Sequence, residues 1–156
     1  MANEYDEIVR REIVTTRVFD APQHAVFEAW TDPDQLKLWW GPRGFSNTFH
    51  AFEMKPGGTW RYTMHGPAGK NFENEVRFVE IIAPERIVLD HISAPRFRLT
   101  VIFEALGDRT KMTFRQLFET SSVYTRVKHL AVPGNEDNLD RLASFLAKRQ
   151  TPPVKK

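Results

Sequence analysis

A few polar residues of this sequence fall at predicted interior positions and are the first candidates for chemistry. Glu53 and Tyr62 lie on neighbouring strands of a predicted hairpin. A buried carboxylate there could act as a general base, because burial raises its pKa. The alternative is a structural Glu53, hydrogen-bonded to an aromatic neighbour or to turn amides. His91 and Gln116 are predicted on inner strand faces, where each could orient a ligand, although His91 could equally be a satisfied core histidine.

The remaining histidines do not indicate a metal site. They lack the HxH and HExxH spacings, and their positions are His24, His50, His65, His91 and His129. His50 and His65 could meet across the first hairpin, but two ligands without a third make a poor site. The sequence has no cysteine, which excludes disulfides and thiolate ligands. We therefore predict no metal, no cofactor and no catalytic residue.

Residues 17–42 (RVFDAPQHAVFEAWTDPDQLKLWWGP) must position part of any interior site. They predict a short strand at 17–19 and then two helices. Pro22 stands where the first helix begins, and Asp32 can cap the second. The apolar side chains of these helices are expected to cover a core or a cavity, and they are Phe27, Trp30, Trp39 and Trp40.

The middle of the chain predicts three hairpins. Their strands fall at residues 46–54, 59–65, 72–82, 87–92, 97–105 and 110–118, separated by turn signals. The C-terminal part predicts two helical pieces, interrupted at Pro133 and Gly134. The second, at about 135–148, has one apolar stripe. The predicted fold is α+β, a curved antiparallel sheet of about seven strands in the order β-α-α-β6-α, wrapped around this helix.

Strand alternation predicts which residues face that helix. In the third hairpin the turn at 107–108 places Leu99 opposite Gln116 and Phe97 opposite Phe118. In the first hairpin Ala51 and Glu53 are expected on the face of Tyr62. The predicted ligand-binding residues are Trp39, Trp40, Trp60, Tyr62, Met64, Phe78, His91, Leu99, Val101, Phe114 and Gln116. Mostly apolar linings with few polar groups are typical of ligand pockets, although these side chains could also simply fill a core.

Several motifs in a fixed order resemble one known family. They are residues 56–62 (PGGTWRY), 64–69 (MHGPAG), 79–86 (VEIIAPER) and 138–142 (NLDRL). Together with residues 17–42 they resemble the activator of heat shock protein 90 ATPase C-terminal-like (AHSA-type) branch of the SRPBCC superfamily, the START-related helix-grip proteins. The resemblance covers about residues 11–149 and implies one domain with an internal cavity. Asn135 departs from the tryptophan usual in the family at the start of the last helix.

Composition narrows the class of protein. The chain has 156 residues, enough for one core, and we expect loose termini at 1–10 and 150–156. The net charge is +2 with the signs interspersed, so no basic face for nucleic acid is expected. The charged start is unlike a signal peptide, and no apolar run could insert into a membrane. A cytoplasmic protein is expected.

Three classes of function remain open. The first is a carrier or sensor that encloses a small hydrophobic, lipid-like or aromatic molecule. The second, implied by the resemblance, is a polyketide-cyclase-like enzyme acting on an aromatic or enolisable substrate, with protons managed by Glu53, Tyr62, His91 or Gln116. The third is a co-chaperone of heat shock protein 90. The sequence favours ligand binding, with the inner polar groups dispersed around the pocket and no converging acid–base pair.

Overall fold

One curved antiparallel sheet organises the protein, whose computed structural model describes residues 11–150. Its seven strands lie in the spatial order β1-β7-β6-β5-β4-β3-β2. The elements, in chain order, are β1 (Glu12–Phe19), α1 (Gln23–Thr31), α2 (Pro33–Trp39), β2 (Ser46–Phe52), β3 (Thr59–His65), β4 (Asn71–Ile82), β5 (Arg86–His91), β6 (Phe97–Leu106), β7 (Arg109–Phe118) and α3 (Ser121–Gln150). The predicted helix-grip order β-α-α-β6-α is confirmed.

The two short helices begin where the sequence indicates. Pro22 precedes α1, a position at which its missing N–H is not needed. The Asp32 carboxylate accepts a hydrogen bond from the backbone N–H of Asp34 at 3.0 Å and so caps α2. Both helices pack their apolar side chains against the sheet. The apolar stripe of α1, which includes Phe27 and Trp30, is buried as a result.

The long helix corrects one prediction, since α3 is continuous through Pro133. Proline removes one backbone hydrogen bond and costs about 3 kcal/mol in a helix interior. The carbonyl of His129 has no backbone donor, because Pro133 lacks an N–H. Both residues are exposed, so water can reach that carbonyl. Beyond the proline, α3 packs on the body of the protein, and Arg17 of β1 donates to Asp140 at 2.6 Å. The predicted interruption at 133–134 is therefore wrong.

The first hairpin corrects a second prediction. Phe49 pairs with Tyr62 as expected, but a bulge follows, so that Ala51 pairs with Arg61 and Phe52 with Trp60. A bulge inserts one residue and reverses the alternation beyond it. Ala51 therefore leaves the inner face, and Phe52 packs edge-on against the Trp60 ring at 5.9 Å.

Glu53 lies beyond the end of β2 and is exposed. Its carboxylate accepts a hydrogen bond from the Thr59 backbone N–H at 3.2 Å. The turn between β2 and β3 is also tight at Gly58, because a Cβ atom at this position would collide with the backbone carbonyl oxygen of Glu53. The structural alternative for Glu53 is correct, and its predicted place on the inner face is wrong.

The third hairpin has the predicted register, with Leu99 opposite Gln116 and Phe97 opposite Phe118. The expected loose termini fall mainly on 1–10 and 151–156, outside the described residues, whereas Gln150 ends α3. Within residues 11–150, no helix combines the length and the apolar character needed to cross a membrane.

Candidate functional site

A cavity of about 370 Å³ lies between the inner face of the sheet and the first half of α3. This volume falls within the usual range for small-molecule sites. The residues that line it, here called the cavity end, are Trp40, Gly41, Pro42, Tyr62, Met64, Asn74, His91, Pro95, Phe97, Phe114, Gln116, Phe118, Val127, Leu130, Ala131, Gly134, Asn135 and Asn138. Leu130 is 69% exposed, so the cavity opens to solvent beside α3.

The structure divides the predicted ligand-binding residues into two groups. Six of them line the cavity, namely Trp40, Tyr62, Met64, His91, Phe114 and Gln116. The other five are buried at what we call the closed end, formed with Trp30 and Phe103, and they are Trp39, Trp60, Phe78, Leu99 and Val101. All of these side chains are buried or half-buried, so strand alternation alone did not distinguish them.

Large rings fill the closed end. The centroids of Trp30 and Trp39 lie 4.9 Å apart and nearly perpendicular, and the Trp30 ring also lies edge-on to Phe103 at 6.3 Å. Trp60 is parallel to the Phe78 ring at 6.3 Å. These contacts leave Leu99 and Val101 fully buried beneath side chains. The five residues of the closed end therefore belong to the core and do not line this cavity.

Sequence reasoning missed most of the lining contributed by α3 and the loops. The lining segment of α3 includes the predicted interruption at 133–134, and none of its residues was predicted as a site residue. Phe97 and Phe118 were predicted as an inner pair but not as site residues. Asn74 pairs with Tyr62 across β3 and β4, a register that could have identified it. We find no sequence signal that places Pro95 in the lining.

Tyr62 directs a hydroxyl group at the cavity. Its oxygen accepts a hydrogen bond from the Trp40 indole N–H at 3.0 Å. Burial raises the pKa of Tyr62, and the bond from Trp40 opposes this only partly, so the hydroxyl keeps its proton. Among the described residues nothing accepts that proton in a hydrogen bond. Tyr62 therefore offers a free donor to whatever enters the cavity.

His91 is buried in the cavity wall against the ring of Phe97, with centroids 4.6 Å apart. Its Nδ1 lies 2.9 Å from the carbonyl oxygens of both Ser93 and Pro95, so this nitrogen carries a proton and donates it. Burial lowers the pKa of His91, and the two carbonyl bonds act in the opposite direction. Burial is the larger of these effects, so it favours the neutral form of the ring.

The second nitrogen of His91, Nε2, lies 2.8 Å from the side-chain oxygen of Asn74, whose NH₂ group donates to the Phe72 carbonyl at 3.0 Å. A neutral ring requires the amide to present its NH₂ group, whereas an imidazolium would require its oxygen. The two amide orientations are related by a half turn and are not distinguished by atom positions alone. As placed, the Asn74 oxygen suits a protonated Nε2, and the half turn that would suit a neutral ring gives up the bond from Asn74 to Phe72.

Gln116 and Asn135 form an amide pair across the cavity, one from β7 and one from α3. Asn135 Nδ2 donates to Gln116 Oε1 at 2.9 Å, and Gln116 is only 7% exposed. The neighbouring Asn138 donates to the Trp39 carbonyl at 2.9 Å and thereby fixes α3 to the end of α2. Asn135 is the position at which the sequence departs from the resembled family.

The lining carries no formal charge. None of its residues in the described part of the chain is Asp, Glu, Lys or Arg, and its titratable groups are Tyr62 and His91. The first stays protonated and the second neutral, for the reasons given above. Glu53, the predicted partner of Tyr62, lies elsewhere. Tyr62, His91 and Gln116 line this cavity from three different strands, β3, β5 and β7.

The outer face of the sheet holds the two histidines considered for a metal. His50 bonds the Thr63 hydroxyl at 2.7 Å, and His65 bonds Thr48 at 2.7 Å and Asn71 at 2.8 Å. Each ring is thus held by its own cross-strand neighbours. In residues 11–150 no cluster of three or more His, Asp or Glu side chains could hold a metal ion.

Comparison with known proteins relates this fold to one family. Residues 20–147 match the family model described as Activator of Hsp90 ATPase homolog 1-like protein. A solved structure from Arthrobacter aurescens is 26% identical with a TM-score of 0.84, over 91% of this chain and 89% of that one. No protein of curated function matches the sequence significantly.

Two further solved structures have the same fold at lower identity. A protein from Nitrosomonas europaea is 18% identical with a TM-score of 0.83, over 91% of this chain and 97% of that one. The AHSA1 protein from Silicibacter pomeroyi is 20% identical with a TM-score of 0.71, over 89% of this chain and 99% of that one. At such identities the likeness shows the fold alone.

Proposed function

Because the chain belongs to the Activator of Hsp90 ATPase homolog 1-like family, within the helix-grip SRPBCC superfamily, we propose that its cavity binds a small, uncharged and largely apolar molecule. The protein would act as a carrier or sensor of that molecule. The observation that carries this proposal is a cavity of about 370 Å³ lined by the buried Tyr62, whose hydroxyl proton has no acceptor among the described residues.

The lining supports an apolar ligand with a polar group at one place. Rings and methyl-bearing side chains, such as Phe97, Phe114 and Met64, supply most of the surface. Binding would remove these surfaces from water, which is the main favourable contribution. A charged ligand would lose its hydration without gaining a partner of opposite charge, and this costs several kcal/mol. Aromatic and lipid-like neutral molecules both fit this description.

Filling the cavity tests the proposal. Ala131 lines the cavity on α3, whereas the next residue, Val132, is 48% exposed and does not. Ala131→Trp should abolish binding of a small aromatic probe such as naphthalene in titration calorimetry, and Val132→Trp, a matched change on the same helix, should leave it intact. We expect micromolar affinity in the wild type, on the order of −8 kcal/mol.

The identity of the ligand requires a separate experiment. Native mass spectrometry of protein purified from its own host would reveal a co-purifying small molecule, and Ala131→Trp protein from the same host should lack it. If aromatic and lipid-like probes all fail to bind, and no molecule co-purifies, the proposal is wrong.

The lining gives less support to a cyclase-like enzyme. Proton abstraction from an enolisable substrate requires a base that can accept a proton near neutral pH. Among the described lining residues that base would have to be His91, whose Nε2 is already engaged by the Asn74 side chain. The predicted carboxylate, Glu53, is bonded to Thr59 outside the cavity. Accordingly, we place Tyr62, His91 and Gln116 as orienting groups.

A chaperone contact is a weaker proposal, since it rests on the description of the family alone. Its test is the ATPase rate of a heat shock protein 90 from the same host, measured with and without this protein. An unchanged rate would exclude activation. The cavity proposal does not depend on the result.

A further inference from the structure

The amide pair of Gln116 and Asn135 is incompletely hydrogen-bonded within the protein. One bond joins the two side chains, at 2.9 Å, and it is the only bond that either amide group makes with the described residues. Gln116 is 7% exposed and lines the cavity, as does Asn135. Neither the Gln116 nitrogen nor the Asn135 oxygen is among the buried atoms without a partner, so both remain accessible for a hydrogen bond to water or to a ligand.

The number of unused groups does not depend on how the amides are oriented. As placed, Asn135 is the donor, which leaves the Gln116 NH₂ group as a donor and the Asn135 oxygen as an acceptor. If both amides were rotated by a half turn, Gln116 would be the donor, and one NH₂ group and one oxygen would again remain. Either way the pair keeps one unused donor and one unused acceptor, on two side chains that are hydrogen-bonded to each other.

From this pair we infer that the ligand carries a cis-amide edge, as in a lactam, whose N–H and C=O bond the two side chains together. This inference rests on the proposed function and specifies the chemical class of its ligand. A lactam offers one donor and one acceptor on adjacent atoms, which complements the pair. A carboxylate has no donor, and its charge would have no counter-ion among the lining residues described above.

The position of the pair also fits a bicyclic or larger ring system. Gln116 lies on β7 between Phe114 and Phe118, which are the next inward-facing residues of that strand and also line the cavity. A planar ring system could therefore contact these rings while its amide edge reaches the pair. Tyr62 adds a further donor for a second carbonyl oxygen.

Four bicyclic probes of similar size separate this inference from the proposed function. Carbostyril is a fused lactam, N-methylcarbostyril keeps the acceptor but not the donor, naphthol carries a single hydroxyl group, and naphthalene has no polar atom. By titration calorimetry the wild-type protein should bind carbostyril about tenfold more tightly than the methylated lactam and naphthalene, because each lost hydrogen bond leaves a buried group unsatisfied. Naphthol should also bind more weakly than carbostyril.

Apolar substitutions of matched size test whether the amide pair causes the preference for carbostyril. Gln116→Met and Asn135→Leu, together, should reduce carbostyril affinity about tenfold and abolish its preference over naphthalene. Asn71→Ala removes an amide on the outer face, bonded to His65, and should change neither affinity. Thermal unfolding checks that each variant is folded, and Asn135→Leu alone provides a second variant should the double change disturb the core.

The outcomes are distinct. Equal affinity for the four probes, or a preference for naphthol, overturns the amide inference and leaves cavity binding intact. A lactam preference that survives in the double variant also overturns it. Failure of every probe to bind overturns the inference together with the proposed function.

Discussion

The closed end and the cavity end share one sheet and one helix but differ in how their space is filled. At the closed end Trp30 packs against the rings of Trp39 and Phe103, and Leu142 of α3 is fully buried beside them. At the cavity end α3 contributes smaller or exposed residues, such as Ala131, Gly134 and Leu130.

This difference indicates that stability and binding are separated along α3. In the segment after Pro133, Leu139, Leu142 and Leu146 are buried, whereas no residue between 121 and 134 is. The two short helices account for the asymmetry, because α1 and α2 cover only the closed end with their tryptophans. The first half of α3 lies beyond these two helices, and it covers the cavity.

The largest expected effect is at the closed end. Trp39→Ala should reduce the free energy of unfolding by about 3–5 kcal/mol, because it removes a buried ring that contacts Trp30 and donates to the Ala29 carbonyl. Trp40→Ala should cost less, since Trp40 already lines the cavity. Urea unfolding of both variants measures the difference, and equal losses would contradict the division into two ends.

A matched pair of substitutions within α3 sharpens the comparison. Leu142→Ala should destabilise the protein by about 2–5 kcal/mol, because Leu142 is fully buried. Leu130→Ala, at 69% exposure, should remain within about 0.5 kcal/mol of the wild type. If both changes cost the same in urea unfolding, the two segments of α3 are equally packed and the comparison is wrong.

Arg141 joins α3 to the segment that follows α2. Its guanidinium donates to the carbonyl oxygens of Leu38, Trp40, Gly41 and Pro42 at 3.0–3.2 Å. Arg141→Met should cost about 1.5–3 kcal/mol, the usual range for bonds from a charged donor. Arg126→Met, an exposed position on the same helix, is the control. Chemical denaturation that finds the two variants equally stable would exclude this role for Arg141.

The smallest effect concerns pH. Burial lowers the pKa of His91 below its usual value of about 6.5, so between that value and the lower folded pKa the unfolded state binds more protons. Stability should therefore fall as pH decreases through this window, by at most about 1.4 kcal/mol per pH unit, and His91→Gln should remove this dependence.

Thermal unfolding between about pH 7.5 and 5.5 measures that dependence. His129→Gln, at an exposed position, is the control and should behave as the wild type. The opposite slope, with His91 stabilising the protein at low pH, would mean that the surrounding oxygens hold an imidazolium.

The sequence predicted the fold better than the site. Turn residues and apolar alternation act over a few neighbours, and they were sufficient for the third hairpin, in which Leu99 faces Gln116. The bulge after Phe49 carries no comparable local signal, so Glu53 was placed on the wrong face. Pro133 is a strong local signal for a helix end, yet tertiary packing and exposure to water keep α3 continuous.

The sequence by itself determined the order of elements, the antiparallel sheet and the inward direction of Tyr62, His91 and Gln116, because these follow from periodicity and turn chemistry. Only the tertiary structure decided that Trp39, Trp60 and Leu99 fill the core while Trp40 lines a cavity. It also brought Asn135 to Gln116 and Asn74 to His91. Such contacts depend on how helices and strands distant in sequence pack in three dimensions, and no local pattern encodes that packing.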